Sequence, residues 1–331
     1  MQLTEHLIKK DFDSIPINPF WNTGDEKELK MHRIHAYPAK FPAFITTKAI
    51  QYAEKKGVKV NTISDIFCGC GTTAFESRRN GKNFWGCDIN PVATLIASAK
   101  SKAYSPKKLN SYYEKIVSTA QSTKIDKDEI KNINERIRYW FRDEQINGLL
   151  KIKKAIYYSV PKKSIYRNFF LVAFSNILKP TSMWLTKSIK PQFDPSKKPA
   201  DVFKVFEQQF YTMEKASRNV EFDNKTKARI ENINFLKKKI THPIADLIVT
   251  SPPYVTSYEY ADLHQLSSLW LDFTNDYREL REGTIGSLYH NSNFKKDINN
   301  LNEVGENIVF ELYDVDKSKR SEEHTSELQS L

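Results

Sequence analysis

The spacing of apolar residues along the chain predicts an alternation of helices and strands. Apolar side chains recur at helical spacing from Ala43 to Lys56, and Gly57 is expected to end that helix. A strand, a helix and a second strand are predicted next, over Thr62–Phe67, Thr72–Asn80 and Asn83–Asp88. Another helix is predicted to begin near Pro91. This order predicts parallel strands joined by a right-handed crossover.

A long helical stretch then separates these strands from those that follow. Residues 101–228 have a mainly helical pattern, with a proline-punctuated loop at 190–199. Strand-like segments return at Ala228–Leu236 and Ala245–Thr250, and a helix is predicted over Tyr260–Phe273. The pattern therefore predicts an α/β fold in which a mostly helical insertion divides one sheet.

Composition and charge favour a globular protein with a polyanionic partner. The chain has 331 residues, of which 40% are hydrophobic and 27% charged, enough for one large or two ordinary domains. The net charge of +11 is uneven, since residues 101–240 carry 30 Lys and Arg against 14 Asp and Glu. Each phosphate that such a side chain neutralises releases a condensed counterion. A solvated lysine-rich surface would carry the same charge, so charge alone leaves both interpretations open.

No feature of the sequence predicts export or membrane insertion. The N-terminal residues have no apolar stretch behind their charges, so no secretory signal is expected. The longest apolar run, Phe169–Phe174, is far shorter than the roughly 20 residues that span a bilayer. Three cysteines, Cys68, Cys70 and Cys87, are too few for a secreted disulfide framework. The C-x-C pair is expected to pack beneath a turn without binding metal, and the protein is expected to be cytoplasmic.

A glycine turn joins the first predicted strand to the helix that follows it. Gly69 and Gly71 would let the backbone approach a bound cofactor closely. Asp88 ends the next strand, where a carboxylate can accept both hydroxyl protons of a ribose. The same glycines fit a loose dinucleotide fingerprint, so spacing alone leaves NAD as a rival. Asp65 could face the cationic methionine end of S-adenosylmethionine, and together with Phe67 it favours that cofactor.

The strand predicted at Ala245–Thr250 runs directly into a second turn, Ser251–Tyr254. The two prolines of this turn remove two backbone donors, which leaves carbonyl groups free to accept hydrogen bonds. The Ser251 side chain and the Pro252 carbonyl could then accept from an exocyclic amine and make its nitrogen more reactive. Tyr254 would offer a flat face to a base that has swung out of its helix. A proline turn with a packed tyrosine is the purely structural alternative.

These motifs together resemble those of the DNA amino-methyltransferases, which methylate cytosine N4 or adenine N6. The resemblance rests on residues 35–42, 65–73, 88–91 and 251–254. It implies a Rossmann-like methyltransferase sheet, incomplete at its C-terminal end, and S-adenosyl-L-methionine as the cofactor, with no metal. The residues that it assigns to the cofactor are Lys40, Phe41, Asp65, Phe67, Gly69, Gly71, Thr72, Asp88 and Ile89. Those that it assigns to catalysis are Ser251, Pro252, Pro253 and Tyr254.

The order of the motifs predicts four regions. Residues 1–100 would hold the cofactor, and 101–228 would form a basic, mostly helical module for target recognition. Residues 229–319 would carry the catalytic turn, whereas 320–331 resemble a translated sequencing adapter and are expected to be non-native. Two clusters in the module interleave charge with aromatic rings and are candidates for phosphate contact: Arg136, Arg138, Tyr139, Trp140, Arg142, and Lys187, Lys190, Phe193, Lys197, Lys198. Two histidines are expected at the surface, satisfied or bound to phosphate: His32 and His35.

The implied activity is methylation of an exocyclic amine in double-stranded DNA, and a cognate restriction nuclease would be a natural partner. Serine before the two prolines favours cytosine N4 slightly over adenine N6. Asn232 and Asn234 stand where relatives often have an acidic contact to adenine. Two alternatives stay open, a tRNA guanine-N2 methyltransferase and a catalytically inactive nucleic-acid-binding fragment. Binding of S-adenosylmethionine would separate the inactive fragment from the enzymes.

Overall fold

The part of the chain described by a computed structural model is built around a four-stranded parallel sheet. The described residues are 18–23, 27–38, 40–218, 220–254, 259–285, 287, 302–303, 305–307 and 310. The strands lie in the spatial order β3-β2-β1-β4, with the bounds β1 Thr62–Asp65, β2 Asn83–Asp88, β3 Ala228–Asn232 and β4 Leu247–Ile248. The predicted α/β fold is confirmed. The residues predicted to be adapter-derived, 320–331, lie outside the described residues.

Helices precede, connect and follow these strands. Those of the described residues are α1 Ala43–Lys55, α2 Thr72–Arg79, α3 Pro91–Lys100, α4 Pro106–Ser122, α5 Lys127–Lys131, α6 Glu135–Trp140, α7 Asp143–Ser159, α8 Ile165–Thr181, α9 Val202–Ser217, α10 Tyr260–Leu263 and α11 Gln265–Trp270. Short 3-10 turns cover Pro19–Trp21, Lys30–Arg33, Phe235–Lys237 and Tyr277–Arg281. Helices α4 to α9 fill the segment between β2 and β3, which confirms its predicted helical character.

Strand pairing brings distant parts of the chain to one edge of the sheet. Residues of β1 pair in parallel with both β2 and β4, and β2 pairs in parallel with β3. Because parallel strands point the same way, their carboxyl ends lie at the same edge. The glycine turn follows β1, Asp88 ends β2, and the Ser251–Tyr254 turn comes soon after β4.

Helix α3 begins where the sequence predicts because its start combines a side-chain cap with a fixed backbone angle. Asn90 Oδ1 accepts hydrogen bonds from Val92 N at 2.9 Å and Ala93 N at 3.4 Å. Pro91 occupies the first helical position, where its missing N–H costs nothing. Most side chains of α3 are buried, because the helix packs on β2, on β3 and on α8.

Four predicted elements are shorter in the structure by two residues or more, and the first is the strand predicted over Thr62–Phe67, which ends at Asp65. The strand predicted over Ala228–Leu236 ends at Asn232, because Asn234 Oδ1 caps a 3-10 turn by accepting from Leu236 N at 2.9 Å. Of the strand predicted over Ala245–Thr250, only Leu247 and Ile248 pair in register, with Ile63 and Ser64. The helix predicted over Tyr260–Phe273 is divided at His264 and ends at Trp270.

The largest hydrophobic core lies in the helical segment and not against the sheet. Its centre is α8, whose apolar run Phe169–Phe174 is buried on all sides between α3, α7, α9 and α11. The same core includes side chains of α3, so the segment predicted as an insertion packs directly onto the sheet half. Within the described residues, no helix has both the length and the apolar character needed to cross a bilayer.

Candidate functional site

A pocket opens at the carboxyl ends of β1, β2 and β4, where the predicted motifs meet. Twelve of the thirteen predicted site residues line it: Lys40, Phe41, Asp65, Phe67, Gly69, Thr72, Asp88, Ile89, Ser251, Pro252, Pro253 and Tyr254. The exception is Gly71. A ligand crevice at this edge of a parallel sheet is the usual arrangement in open α/β proteins.

Asp88 holds the glycine turn in place. Its Oδ2 accepts a hydrogen bond from Gly69 N at 2.8 Å, and its Oδ1 accepts one from Asn90 N at 2.8 Å. Burial raises the pKa of Asp88, and the two backbone N–H groups partly oppose that change. Because a carboxylate has about four acceptor positions, both oxygens can still accept from a ligand. Asp88 therefore supports the turn and lines the pocket at the same time.

Asp65, the last residue of β1, is a deeply buried carboxyl group that is 4% exposed. Its Oδ1 accepts from Thr250 Oγ1 at 2.6 Å and from Phe67 N at 3.1 Å. Burial raises the pKa of Asp65 to about 6, although hydrogen bonds from Thr250, Thr73 and Phe67 act in the opposite direction. A cationic ligand group beside this side chain would favour its ionised form.

The two glycines of the turn have different roles. Gly69 has a φ of +47° and lies against Tyr37 in the pocket wall. Gly71 has a φ of +76°, and a Cβ atom at this position would lie 2.5 Å from the Cβ of Ala97 on α3. Because real Cβ atoms do not approach so closely, Gly71 allows the start of α2 to pack directly on α3. Gly71 thus acts behind the pocket and not in its lining.

Hydrogen bonds of the residues immediately before the Ser251–Tyr254 turn connect this turn to β1 and α2. Thr250 donates to Asp65 across 185 positions of sequence, and Thr73 Oγ1 donates to the Val249 carbonyl at 3.5 Å. Tyr254 remains 52% exposed. The turn is therefore fixed at its beginning, and Tyr254 presents an accessible aromatic ring at the pocket.

Lys40 lines the pocket, but its ammonium group already has protein partners. Lys40 Nζ donates to the His32 carbonyl at 2.8 Å and lies 3.5 Å from Glu28 Oε2. Glu28 is half-buried, so this ion pair is partly screened by solvent. The charge of Lys40 is thus directed towards its own chain segment.

Other lining residues were not assigned by the sequence motifs. They come from the segment before α1, the glycine turn and the start of α2, the cap of α3, the turn after β3, α10, the last 3-10 turn and the segment after it: Tyr37, Ile66, Cys68, Cys70, Thr73, Asn90, Ile233, Asn234, Phe235, Leu236, Tyr260, Ala261, Leu280, Gly283, Thr284 and Ile285. Six of them lie inside segments that carry the resemblance, so a signal for them exists in the sequence: Tyr37, Ile66, Cys68, Cys70, Thr73 and Asn90. Residues 280–285 follow no motif that could have identified them.

The two asparagines that replace an expected acid take different positions. Asn232 Nδ2 donates to the carbonyl groups of Asp88 at 3.0 Å and Ile89 at 2.9 Å, so it joins the ends of β2 and β3. Asn234 lines the pocket while its Oδ1 caps the following 3-10 turn. Asn232 is therefore structural, whereas Asn234 can also meet a ligand.

The first predicted phosphate cluster is partly internal. Trp140 is 1% exposed and stacks on Trp184 with 5.1 Å between ring centroids. Arg136 lies over the rings of Tyr139 and Trp140, and its Nε donates to Gln265 Oε1 at 2.8 Å. Trp140 is thus a core residue and cannot contact phosphate.

The second predicted phosphate cluster lies on the loop 184–198, which follows α8. Lys187, Lys190 and Lys198 are exposed there. Lys197 instead points inward, since its Nζ donates to the carbonyls of Lys179 at 2.9 Å and Trp184 at 2.6 Å. Three of the four predicted lysines are therefore accessible to a polyanion.

The expected surface placement of His32 and His35 is wrong. His32 is 1% exposed and its Nε2 lies 2.7 Å from Glu76 Oε1, whereas His35 is 8% exposed and its Nε2 lies 2.9 Å from Ser175 Oγ. Partners from distant elements cover both rings, so neither histidine can reach a phosphate group.

The prediction that Cys68 and Cys70 are buried at the glycine turn is confirmed, and both also line the pocket. Cys68, Cys70 and Cys87 are buried free thiols. Among the residues that the structure describes, no three or more His, Cys, Asp or Glu side chains are grouped as metal ligands would be.

Comparison with known proteins found a matching family model and two similar methyltransferases. A protein-family model for DNA methylases matches residues 5–99. The chain is 27% identical to the Type II methyltransferase M.MvaI of Kocuria varians over 295 residues, which is 83% of this chain and 64% of that protein. It is 35% identical over 85 residues to the Type II methyltransferase M.MjaII of Methanocaldococcus jannaschii, which is 25% of this chain and 15% of that protein. The chain thus spans less than two thirds of either relative, and no solved structure matches it.

Proposed function

We propose that the chain, which is similar to DNA methylases and Type II methyltransferases, transfers a methyl group from S-adenosylmethionine to an exocyclic amine of a DNA base. The observation that carries this proposal is the single pocket in which the glycine turn and the Ser251–Tyr254 turn meet. Either turn alone would be weak support, since glycine turns bind many nucleotides and proline turns often only pack. Their meeting provides neighbouring places for a cofactor and a base.

The pocket residues suit S-adenosylmethionine. Asp88 would accept the two ribose hydroxyl protons while still holding Gly69 and Asn90. Asp65 would face the cationic methionine end, where a positive charge offsets the cost of its burial. Phe67 and Ile89 add apolar lining. When bound, the cofactor supplies a methyl group carried on a positively charged sulfur.

The Ser251–Tyr254 turn would bind and activate the amine. The hydroxyl of Ser251 and the carbonyl of Pro252 accept hydrogen bonds from the amine N–H groups, which withdraws the nitrogen lone pair from the ring and directs it outward. The prolines contribute no N–H of their own to compete for these acceptors. Tyr254 would stack on the base and hold its amine in the pocket, where the bound cofactor would supply the methyl group by direct transfer.

Double-stranded DNA is the substrate that we favour. The exposed lysines of the loop 184–198 and the basic excess of residues 101–240 suit a polyanion. A base within a duplex has to leave the stack to reach the pocket, and the exposed ring of Tyr254 can receive it. Ser251 before the prolines favours cytosine N4 over adenine N6.

The decisive experiment is mass spectrometry of nucleosides from the DNA and tRNA of cells that express the protein. N4-methylcytosine in DNA is the expected product, and N6-methyladenine would change the target base only. Methylated guanine N2 in tRNA with unmodified DNA would replace the proposal by the RNA alternative. Calorimetry with S-adenosylmethionine identifies the inactive alternative, because a chain that does not bind the cofactor cannot use it.

Tyr254→Ala tests the stacking role directly. Loss of stacking is worth about 1–3 kcal/mol, so methylation should fall roughly tenfold to a hundredfold while cofactor affinity stays within about twofold. Tyr158→Ala is the matched control, because Tyr158 is 78% exposed and lies away from the pocket. Equal turnover in the two variants would show that Tyr254 does not hold the base.

A further inference from the structure

A second cavity lies beside the first, on the other side of Tyr37. Its walls come from the segment 35–38, from α8, from the α10–α11 junction and from the loop 184–198. Its volume is about 270 Å³, against about 30 Å³ for one water molecule in the liquid, so it has room for a ring-shaped molecule. None of the residues of the Ser251–Tyr254 turn lines it.

Two buried imidazole rings line this cavity and each leaves one nitrogen without a partner. His35 is 8% exposed and His264 is 4% exposed. The Nδ1 atom of His35 and the Nε2 atom of His264 are buried and make no hydrogen bond within the described residues. Leaving such an atom unsatisfied costs about 1–3 kcal/mol, and because neither atom has accessible surface, a ligand with matching polar groups recovers this cost once the rings shift towards the cavity.

Both rings are uncharged at neutral pH. Burial lowers the pKa of His35 to about 3, with the neighbouring His264 and Lys100 acting in the same direction, and burial lowers the pKa of His264 to about 4. Lys179 contributes a cation to the lining, and its Nζ donates a hydrogen bond to the Ser188 carbonyl at 2.8 Å. The cavity therefore suits a neutral ligand and offers little to a free anion.

A chain of hydroxyl groups lets His35 either donate or accept. His35 Nε2 lies 2.9 Å from Ser175 Oγ, which lies 2.7 Å from Ser267 Oγ. If Ser175 donates to the ring, the proton of the neutral imidazole is on Nδ1, which then donates to a ligand. If the hydroxyl protons turn the other way, Nδ1 becomes an acceptor. The unpaired atom can thus adapt to either edge of a heterocycle.

Flat and apolar surfaces complete the lining. Tyr37 stacks on His264, with 4.9 Å between ring centroids and 23° between planes. Trp184 and the side chains of Leu178 and Leu266 line the cavity as well. Aromatic faces with a few adaptable polar atoms are the usual means by which proteins bind an unstacked base.

We propose that this second pocket binds an uncharged nucleobase, with His35 Nδ1 and His264 Nε2 hydrogen-bonded to its edge. The site is distinct from the catalytic turn, so the bound base is not the one that is methylated. The source that we favour is a nucleic acid, and in this respect the proposal rests on the proposed function. Lys187 and Lys190 support it, because they are exposed on the loop that bounds the pocket and can contact phosphates.

The test is a fluorescence titration of the protein with 2-aminopurine riboside, whose emission is quenched by stacking. The wild-type protein should show saturable quenching, and His35→Phe, which keeps ring volume but loses both nitrogens, should bind at least tenfold more weakly. His242→Phe is the matched control, because His242 is exposed and outside the pocket. Tyr254→Ala should keep the quenching that depends on His35, since Tyr254 belongs to the other pocket, and should lose only the quenching that comes from a riboside stacked there.

A second arm identifies the source of the base. A single-stranded oligonucleotide that contains 2-aminopurine should bind more tightly than the riboside, and Lys187→Ala with Lys190→Ala should weaken the oligonucleotide only. If these lysine changes leave both ligands unaffected, a free nucleoside is the occupant and the nucleic-acid source is wrong. If His35→Phe fails to fold, His264→Phe replaces it in the test, because a phenylalanine ring at this position keeps the stack on Tyr37.

Three results would overturn the proposal. One is the absence of saturable quenching up to millimolar riboside, and another is quenching that depends on Tyr254 and not on His35. The third is tight Zn²⁺ binding that His35→Phe abolishes, because neutral imidazole nitrogens also bind metals. Calorimetry with S-adenosylmethionine on the same samples keeps the two proposals apart: its failure refutes the proposed function while leaving riboside binding to be judged separately.

Discussion

The two neighbouring pockets bury titratable groups to a similar depth but shift their protonation in opposite directions. In the first pocket, burial raises the pKa of Asp65 to about 6, and in the second it lowers the pKa of His264 to about 4. Burial disfavours whichever form is charged, so a carboxyl group tends to keep its proton and an imidazole tends to lose it. The first pocket therefore gains from a cationic ligand, and the second accommodates a neutral one.

This difference gives the pockets opposite effects on stability in acid. Asp65 has a higher pKa in the folded chain than its ordinary 3.8, so the folded state takes up its proton first and gains stability as the pH falls towards about 4. His35 and His264 have lower pKa values in the folded chain than their ordinary 6.5. The unfolded chain takes up their protons first, and stability is lost as the pH falls below about 6.5.

The largest expected effect would break the first pocket alone. Asp88→Ala removes the acceptor for Gly69 N and for the ribose hydroxyls, and we expect at least about a thousandfold loss of affinity for S-adenosylmethionine by calorimetry. Asp88→Asn keeps one acceptor oxygen and should lose less. Binding of 2-aminopurine riboside should survive in both variants. An equal loss of both ligands would mean that the pockets do not act separately.

The second pocket is tested by acid titration of stability. At pH 5, His35 and His264 should together cost about 4 kcal/mol of unfolding free energy relative to pH 7. The double variant His35→Phe, His264→Phe should lose this acid dependence, as measured by urea unfolding at the two pH values. His242→Phe should leave it unchanged, because His242 is exposed. If the double variant lost as much unfolding free energy between pH 7 and pH 5 as the wild type does, these rings would not be held neutral.

Gly71→Ala should damage the wall behind the first pocket. The new Cβ would meet Ala97 at 2.5 Å, and the φ of +76° disfavours any side chain. Gly57→Ala is the matched control, since Gly57 has a φ of +85° but no atom within 4 Å of an added Cβ. We expect Gly71→Ala to lower the free energy of unfolding by about 2 kcal/mol more than the control does, as measured by urea denaturation. Equal losses would limit the role of Gly71 to its backbone angle.

The smallest expected effect concerns Asp65, where binding and stability should move in opposite directions. Between pH 7 and pH 5 the wild-type affinity for S-adenosylmethionine should fall about tenfold, because the carboxylate takes up a proton with a pKa of about 6. Asp65→Asn should bind weakly at both pH values. Without ligand it should be about 1 kcal/mol more stable at pH 7, since a buried charge is removed and the bonds from Thr250 and Phe67 are only weakened. A less stable Asp65→Asn would show that those bonds outweigh the cost of burial.

Local signals predicted much of the first pocket and none of the second. Glycines with positive φ, an aspartate at a strand end and consecutive prolines each have a meaning within a few residues of sequence, and they identified Gly69, Asp88 and Ser251. The second pocket depends on pairs such as His35 and Ser175, which are 140 positions apart. No periodicity reports such a pair, so the sequence predicted a surface position for a ring that the helical core covers.

The limits of the strands illustrate the same point. The apolar pattern predicts six strand residues at Ala245–Thr250, yet only Leu247 and Ile248 pair in register. Apolar character indicates that a segment is buried, whereas the length of a strand depends on which backbone groups of the neighbouring strand are available for pairing. Helix α3 was easier to predict, because its cap, its proline and its apolar residues are all encoded locally.

Tyr37 lines both pockets, so a ligand that moves this ring in one pocket would change the shape of the other. A ligand in either pocket that favours one position of the ring changes the affinity of the other pocket for its own ligand. Such coupling is reciprocal by thermodynamic necessity, so each ligand alters the dissociation constant of the other by the same factor. A single aromatic side chain can thereby make occupancy of one pocket report on occupancy of the other.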